Sequence, residues 1–128
     1  MAKLLIIDDE ILARLTLRKI LENSGHEVLE AANGTEGIAL ARANKCDLVI
    51  TDIIMPDKEG IETIIELKRD FADLRIIAIS GGGRTRNLDF LKLALQYGAS
   101  KVLAKPFSQS DLSSAIQGVL SGAEAVHA

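Results

Sequence analysis

Asp8, Asp9, Asp52, Ser80 and Lys105 are the residues of this chain whose types could do chemistry together. Three carboxylates, a hydroxyl and an ammonium suit a hard divalent cation and a phosphoryl group. Clustered carboxylates repel one another unless a cation or protons offset them. Mg²⁺ favours a few carboxylates together with waters and phosphate oxygens. A Lys and a hydroxyl beside them suit phosphoryl transfer, where catalysis is positioning and charge neutralisation. An Asp can itself be the nucleophile and form an aspartyl-phosphate.

Each of these residues closes a short apolar run. Leu4-Leu5-Ile6-Ile7 precedes Asp8-Asp9, and Leu48-Val49-Ile50-Thr51 precedes Asp52. Ile76-Ile77-Ala78-Ile79 precedes Ser80, and Val102-Leu103-Ala104 precedes Lys105-Pro106. Such runs suit strands buried on both faces of a parallel sheet. The carboxyl ends of parallel strands share one edge, where open α/β folds bind ligands. All five side chains are therefore expected to converge on one shallow site. Neighbouring side chains oppose each other along a strand, but at its end the chain leaves the pleat, so Asp8 and Asp9 can both face the pocket. Singly, each residue has an ordinary reading: an Asp at a strand end is commonly a turn or cap, and Asp9 also suits a helix N-cap. The joint occurrence at four strand ends is what points to a site.

Helical patterns separate the strands. Ala13, Leu17, Ile20 and Leu21 fall at helical spacing, and Asn23-Ser24-Gly25 ends that helix. His26 to Ala31 reads as a weaker strand, and Glu27 and Glu30 mark it as an edge. Asn33-Gly34 is a turn signal, and a short helix with Ile38, Leu40 and Ala41 ends near Lys45. Ile53 to Glu59 reads as an irregular loop before a helix with Ile61, Ile64, Ile65, Leu67 and Phe71. After Ser80 come Gly81, Gly82 and Gly83, either a flexible loop or a phosphate-cradling nest. The next helix places Leu88, Leu91 and Leu95 on one face and stops at Gly98. Ser108 and Asp111 form a capping box before Leu112, Ala115, Ile116, Val119 and Leu120 at amphipathic spacing. Strict βα alternation predicts parallel strands, right-handed crossovers and helices on both faces.

The length, 128 residues, suits one domain, expected over residues 1–121, with 122–128 a flexible tail or linker stump. A net charge of −3, without a Lys or Arg run, gives no sign of direct nucleic-acid or anionic-membrane binding. A single cysteine, Cys46, excludes an intrachain disulfide and fits a cytoplasmic, reducing compartment. Cys46 reads as a small apolar residue at a strand start, and His26 and His127 as surface residues. The N-terminus runs straight into a strand, and no apolar stretch is long enough to span a membrane.

These residues resemble the receiver domain of two-component response regulators over essentially the whole chain. The resemblance rests on Leu4-Leu5-Ile6-Ile7-Asp8-Asp9-Glu10, on Asp52-Ile53-Ile54-Met55-Pro56-Asp57 with Gly60, on Ile79-Ser80 and on Lys105-Pro106-Phe107, in that order and spacing. It implies a flavodoxin-like (βα)5 three-layer sandwich with strand order 2-1-3-4-5. It further implies that Asp52 accepts a phosphoryl group from a phosphohistidine, with Mg²⁺. Asp8 and Asp9 match the acidic pair, Asp9 and Asp52 the direct Mg²⁺ ligands, and the backbone carbonyl of Ile54 a further ligand. Ser80 matches the switch hydroxyl, and Lys105 the phosphate-binding lysine. The implied partners are a sensor histidine kinase or histidine phosphotransfer protein, and an output domain or target protein. A second copy docking through the face of the fourth helix, fifth strand and fifth helix is a further implied partner. The chain is then a phosphoacceptor switch rather than an enzyme, with at most slow self-phosphorylation and self-dephosphorylation.

Three positions depart from that pattern. Val102 stands where an aromatic is common, Ile54 where many relatives are polar, and Gly81–Gly83 form an unusually bare loop. Two rival readings are a Mg²⁺-dependent phosphatase with an Asp nucleophile and an interaction module with a vestigial pocket. Such a phosphatase needs a second acid at the position of Ile54, and a vestigial pocket would not keep all five side chains.

Overall fold

A computed structural model describes residues 2–53, 60–80 and 86–121, and for 86–91 the backbone alone. Strands and helices alternate: β1 (Lys3–Ile7), α1 (Ile11–Asn23), β2 (Glu27–Ala31), α2 (Gly34–Ala43), β3 (Leu48–Asp52), α3 (Gly60–Asp70), β4 (Arg75–Ser80), α4 (Arg86–Tyr97), β5 (Lys101–Ala104) and α5 (Gln109–Ser121). The five strands form one sheet in the order β2-β1-β3-β4-β5, and every adjacent pair is parallel. This is the flavodoxin-like arrangement expected from the sequence.

Period-two alternation sorts each strand between two cores. Leu4 and Ile6 of β1, Leu48 and Ile50 of β3, and Ile77 and Ile79 of β4 pack with Leu17 and Leu21 of α1 and Leu112, Ala115, Ile116 and Val119 of α5. Leu5, Ile7, Val49, Ile76 and Ala78 pack on the other side with Ile38 of α2, Ile64 and Leu67 of α3, and Ala94 of α4. β3 is buried at every residue. β5 lies at the sheet margin and is half-buried, with Ala104 exposed, so its apolar run is not covered on both faces as expected. β2 is the other margin, as Glu27 and Glu30 suggest.

Local chemistry sets the helix ends. The Ser108 and Asp111 capping box is present: Ser108 Oγ accepts from Asp111 N at 2.9 Å, and Asp111 Oδ2 from Ser108 N at 3.1 Å. Asn33-Gly34 caps a helix rather than making a turn: Asn33 Oδ1 accepts from Glu36 N at 2.8 Å, and Glu36 Oε1 from Ala32 N at 2.7 Å. Gly98 closes α4 at φ +125°, a conformation only glycine adopts readily. Its bare Cα also admits the Lys68 stem, whose Nζ donates to the Ala72 and Leu74 carbonyls. Among the described side chains of α4, Ala94 is buried and Leu95 is 48% exposed, so Leu95 is not on the inner face, while the side chains of Leu88 and Leu91 lie outside the described residues. Ile54–Glu59, Gly81–Gly83 and His127 lie outside the described residues.

Candidate functional site

Asp8 follows β1, Asp52 ends β3, Ser80 ends β4 and Lys105 follows β5, all at the carboxyl edge of the sheet. Asp8, Asp9 and Asp52 each bring a carboxylate oxygen within 4.8 Å of the others. Asp8 and Asp52 are buried and Asp9 is exposed. The chain does leave the pleat after Ile7, so the adjacent pair reaches one pocket as expected. Asp9 is not the cap of α1: that position belongs to Glu10, which makes no side-chain cap bond.

Asp8 is held on all sides. Its Oδ1 accepts from Glu10 N at 2.9 Å, and its Oδ2 lies 3.8 Å from Lys105 Nζ. Its backbone N donates to Ala31 O at 3.1 Å, and its carbonyl accepts from Arg14 Nη1 at 2.7 Å. Burial pushes the Asp8 carboxyl above its ordinary range; the Glu10 N–H and Lys105 pull it down, and the charges of Asp9 and Glu10 add to the rise. A buried carboxylate of this kind, with two others beside it, calls for a cation. Oxygen donors of this number and kind fit Mg²⁺.

Asp52 is placed from below by β3 and from behind by α3. Gly60 N donates to Ile53 O at 3.0 Å. A Cβ on Gly60 would sit 2.1 Å from Ile53 Cα and 2.5 Å from Asp52 O, so only glycine lets α3 start this close.

Ser80 is completely buried, and its Oγ has no hydrogen-bond partner among the described residues. In the pleat it follows Ile76 and Ala78, which face α2–α4, whereas Asp52 follows Leu48 and Ile50, which face α1 and α5. The hydroxyl is thus at the expected edge without being bonded into the carboxylate group. Its backbone is fixed, with Ser80 O accepting from Lys105 N at 2.8 Å. Ile54 lies outside the described residues, so the structure does not bear on its carbonyl. Arg14, which the sequence reading did not single out, emerges as a neighbour of the acidic pair; an Arg five residues past an acidic pair at a strand end is the signal that could have flagged it.

Beside the site, Ile11, Leu12 and Leu15 of α1 are 63%, 78% and 51% exposed. Leu12 also lines a groove between α1 and the Lys105-Pro106-Phe107 segment.

Residues 4–117 match the response regulator receiver domain family. The chain belongs to that family. The receiver is 36% identical over 122 residues to protein PilH of Pseudomonas aeruginosa, covering 95% of this chain and 100% of that protein. It is 36% identical over 121 residues to chemotaxis protein CheY of Halobacterium salinarum, covering 94% and 98%. It also matches transcriptional regulatory protein PdtaR of Mycobacterium tuberculosis at 39% identity over 116 residues, but spans only 55% of that protein. Among solved structures, a response regulator receiver domain protein from Clostridium thermocellum superposes with a TM-score of 0.87 at 35% identity, covering 98% of this receiver and 99% of that chain. No helix among the described residues is long and apolar enough to cross a membrane.

Proposed function

We propose that this receiver is a phosphoacceptor switch of a phosphorelay, and that Asp52 is its acceptor. A carboxylate oxygen of Asp52 attacks the phosphorus of a phosphohistidine on a sensor histidine kinase or histidine phosphotransfer protein. The new P–O bond forms as the P–N bond breaks, and the imidazole nitrogen keeps the electron pair. The observation that carries this reading is the meeting of Asp8, Asp9 and Asp52 within 4.8 Å, with Lys105 3.8 Å from Asp8. Asp9 and Asp52, with Asp8 beside them and the Ile54 carbonyl, would hold Mg²⁺, which when bound neutralises charge on the phosphoryl oxygens. Lys105 pairs with the phosphoryl group, and Ser80 donates to it a hydroxyl that has no partner among the described residues. Because Ser80 sits on the α2–α4 side of the pleat, engaging it moves the end of β4, which biases the α4–β5–α5 face toward a different partner. Ile11, Leu12 and Leu15 offer the donor protein an apolar landing surface beside the site.

The test is mass spectrometry after incubation with acetyl phosphate and Mg²⁺. One phosphoryl adduct, labile as an acyl phosphate is to alkali and hydroxylamine, is expected on the wild type, none on Asp52→Asn, and none in excess chelator. An adduct on Asp8, Asp9 or Asp57 of the wild type would overturn the assignment, and rapid multiple-turnover release of phosphate with no accumulating adduct would indicate a phosphatase.

A further inference from the structure

Asp9 differs from the other two carboxylates of the site. It is exposed, and its direction depends on the backbone at Asp8 and Glu10. That backbone is gripped by Arg14, whose side chain is only 15% exposed. Arg14 Nη1 donates to Asp8 O at 2.7 Å, and this carbonyl belongs to the peptide group that leads into Asp9. Arg14 Nε donates to Glu30 Oε1 at 3.3 Å. Glu30 precedes Ala31, whose carbonyl accepts from Asp8 N. Asp8, Ala31, Glu30 and Arg14 thus close a ring that pins the β1–α1 turn to β2. Glu30 in turn pairs through its other oxygen with Arg18, which also holds Glu22 at 3.0 Å.

We infer that Arg14 is a positioning residue: by bridging the Asp8 carbonyl and the Glu30 carboxylate it sets the direction in which Asp9 presents its carboxylate to the cation. The inference rests on the cation-assisted reading above. A planar guanidinium serves two acceptors from fixed directions, which a lysine ammonium does not reproduce. Glu30 offsets the guanidinium charge, so the clamp does not place an unbalanced cation beside a cation site. Groups that orient a metal's ligands without touching the metal commonly contribute ten- to a hundredfold in affinity.

Charge and positioning make opposite demands. Were Arg14 merely a nearby positive charge, its removal would strengthen Mg²⁺ binding; as a positioning residue, its removal weakens it. The experiment is an NMR titration of the 15N-labelled receiver with Mg²⁺ alone, following backbone amides around Asp9 and Asp52. The variants are Arg14→Gln, Arg14→Lys and, as a control, Arg42→Gln. Arg42 pairs on the surface with Asp70 at 2.6 Å and Glu66 at 3.3 Å, away from the site. About tenfold weaker binding is expected for both Arg14 variants, and wild-type affinity for Arg42→Gln. Affinity in Arg14→Gln equal to or tighter than wild type overturns the inference. If Arg14→Gln does not fold, Arg14→Lys decides, because it keeps the charge and loses the fork: wild-type affinity there overturns positioning. A wild type that shows no Mg²⁺ response overturns the cation reading itself, and this inference with it.

Discussion

Lys105 Nζ stands 3.8 Å from Asp8 Oδ2, although β3 and β4 separate their strands in the sheet. Asp52 and Ser80 close those two intervening strands. The ammonium therefore spans the carboxyl edge and offsets part of the cost of a buried carboxylate. On the proposed reading, Lys105 would exchange Asp8 for the incoming phosphoryl group.

Asp8→Asn should stabilise the receiver in the absence of divalent cation. Asp8's carboxyl is raised by burial, so its ionised form costs stability at pH above its folded value. That cost disappears below the unfolded value. The amide keeps the oxygen that accepts from Glu10. A gain of about 1 kcal/mol is expected at neutral pH, typical of relaxing a strained functional group, shrinking toward zero in acid. Urea denaturation in chelator at neutral and acidic pH measures it, and a less stable variant at neutral pH would refute the account.

Ser80→Ala should leave the unmodified receiver at least as stable. The buried hydroxyl makes no hydrogen bond among the described residues, so deleting it removes a desolvation penalty of about 1 kcal/mol. The same variant should lose part of the thermal stabilisation that beryllofluoride and Mg²⁺ give the wild type. Undiminished stabilisation would mean that Ser80 does not engage the phosphoryl mimic.

Gly60→Ala should damage labelling more than folding. The new methyl meets Ile53 Cα at 2.1 Å and Asp52 O at 2.5 Å, so the backbone of the proposed acceptor must shift. Overpacking of this kind costs about 1–3 kcal/mol. Fully buried Ile64, one turn further along α3, provides the comparison: Ile64→Val costs about 1 kcal/mol. At matched folded fractions, Gly60→Ala should be labelled by acetyl phosphate several times more slowly than Ile64→Val.

Glu30→Gln should flatten the acid limb of stability. The hydrogen bond from Arg18, joined by that from Arg14, holds Glu30 below the usual carboxylate range. Its contribution is present above the ordinary Glu value and is lost as pH falls through the lower folded value. The pair is partly exposed, so the loss at neutral pH is below about 1 kcal/mol. Denaturation midpoints of variant and wild type should converge in acid; a constant offset across pH would exclude this origin.

Ile54→Asn should shorten the life of the adduct. Hydrolysis needs a water aligned with phosphorus. An apolar side chain two residues past Asp52 orients none, whereas an amide can. Decay of labelled protein in Mg²⁺ buffer compares the two, and a wild-type lifetime equal to or shorter than the variant's would reject the argument.

The strand ends were legible because apolar runs and chemically distinctive residues coincide there: Asp8, Asp52, Ser80 and Lys105 all fall at the expected edge. The α5 face was legible from the spacing of Leu112, Ala115, Ile116, Val119 and Leu120: the first four are buried and Leu120 is partly buried against the same core. Other features depend on tertiary context. Asn33-Gly34 has the composition of a turn, but Glu36 completes a cap. Leu95 has the periodicity of a core residue, yet Ala94 takes the inner place, where α4 lies close to the sheet. The Arg14 clamp needs β2 beside α1, a pairing that no local pattern encodes.

β3 is buried at every residue and flanked on both sides, whereas β5 has one neighbour and a half-open face. Asp52 therefore ends a strand enclosed on every side, and Lys105 follows a half-open strand paired along one edge. A chemical event at such a junction strains the two sides unequally. On the proposed reading the displacement would travel outward through β4 toward the β5 margin, a direction set by the strand order.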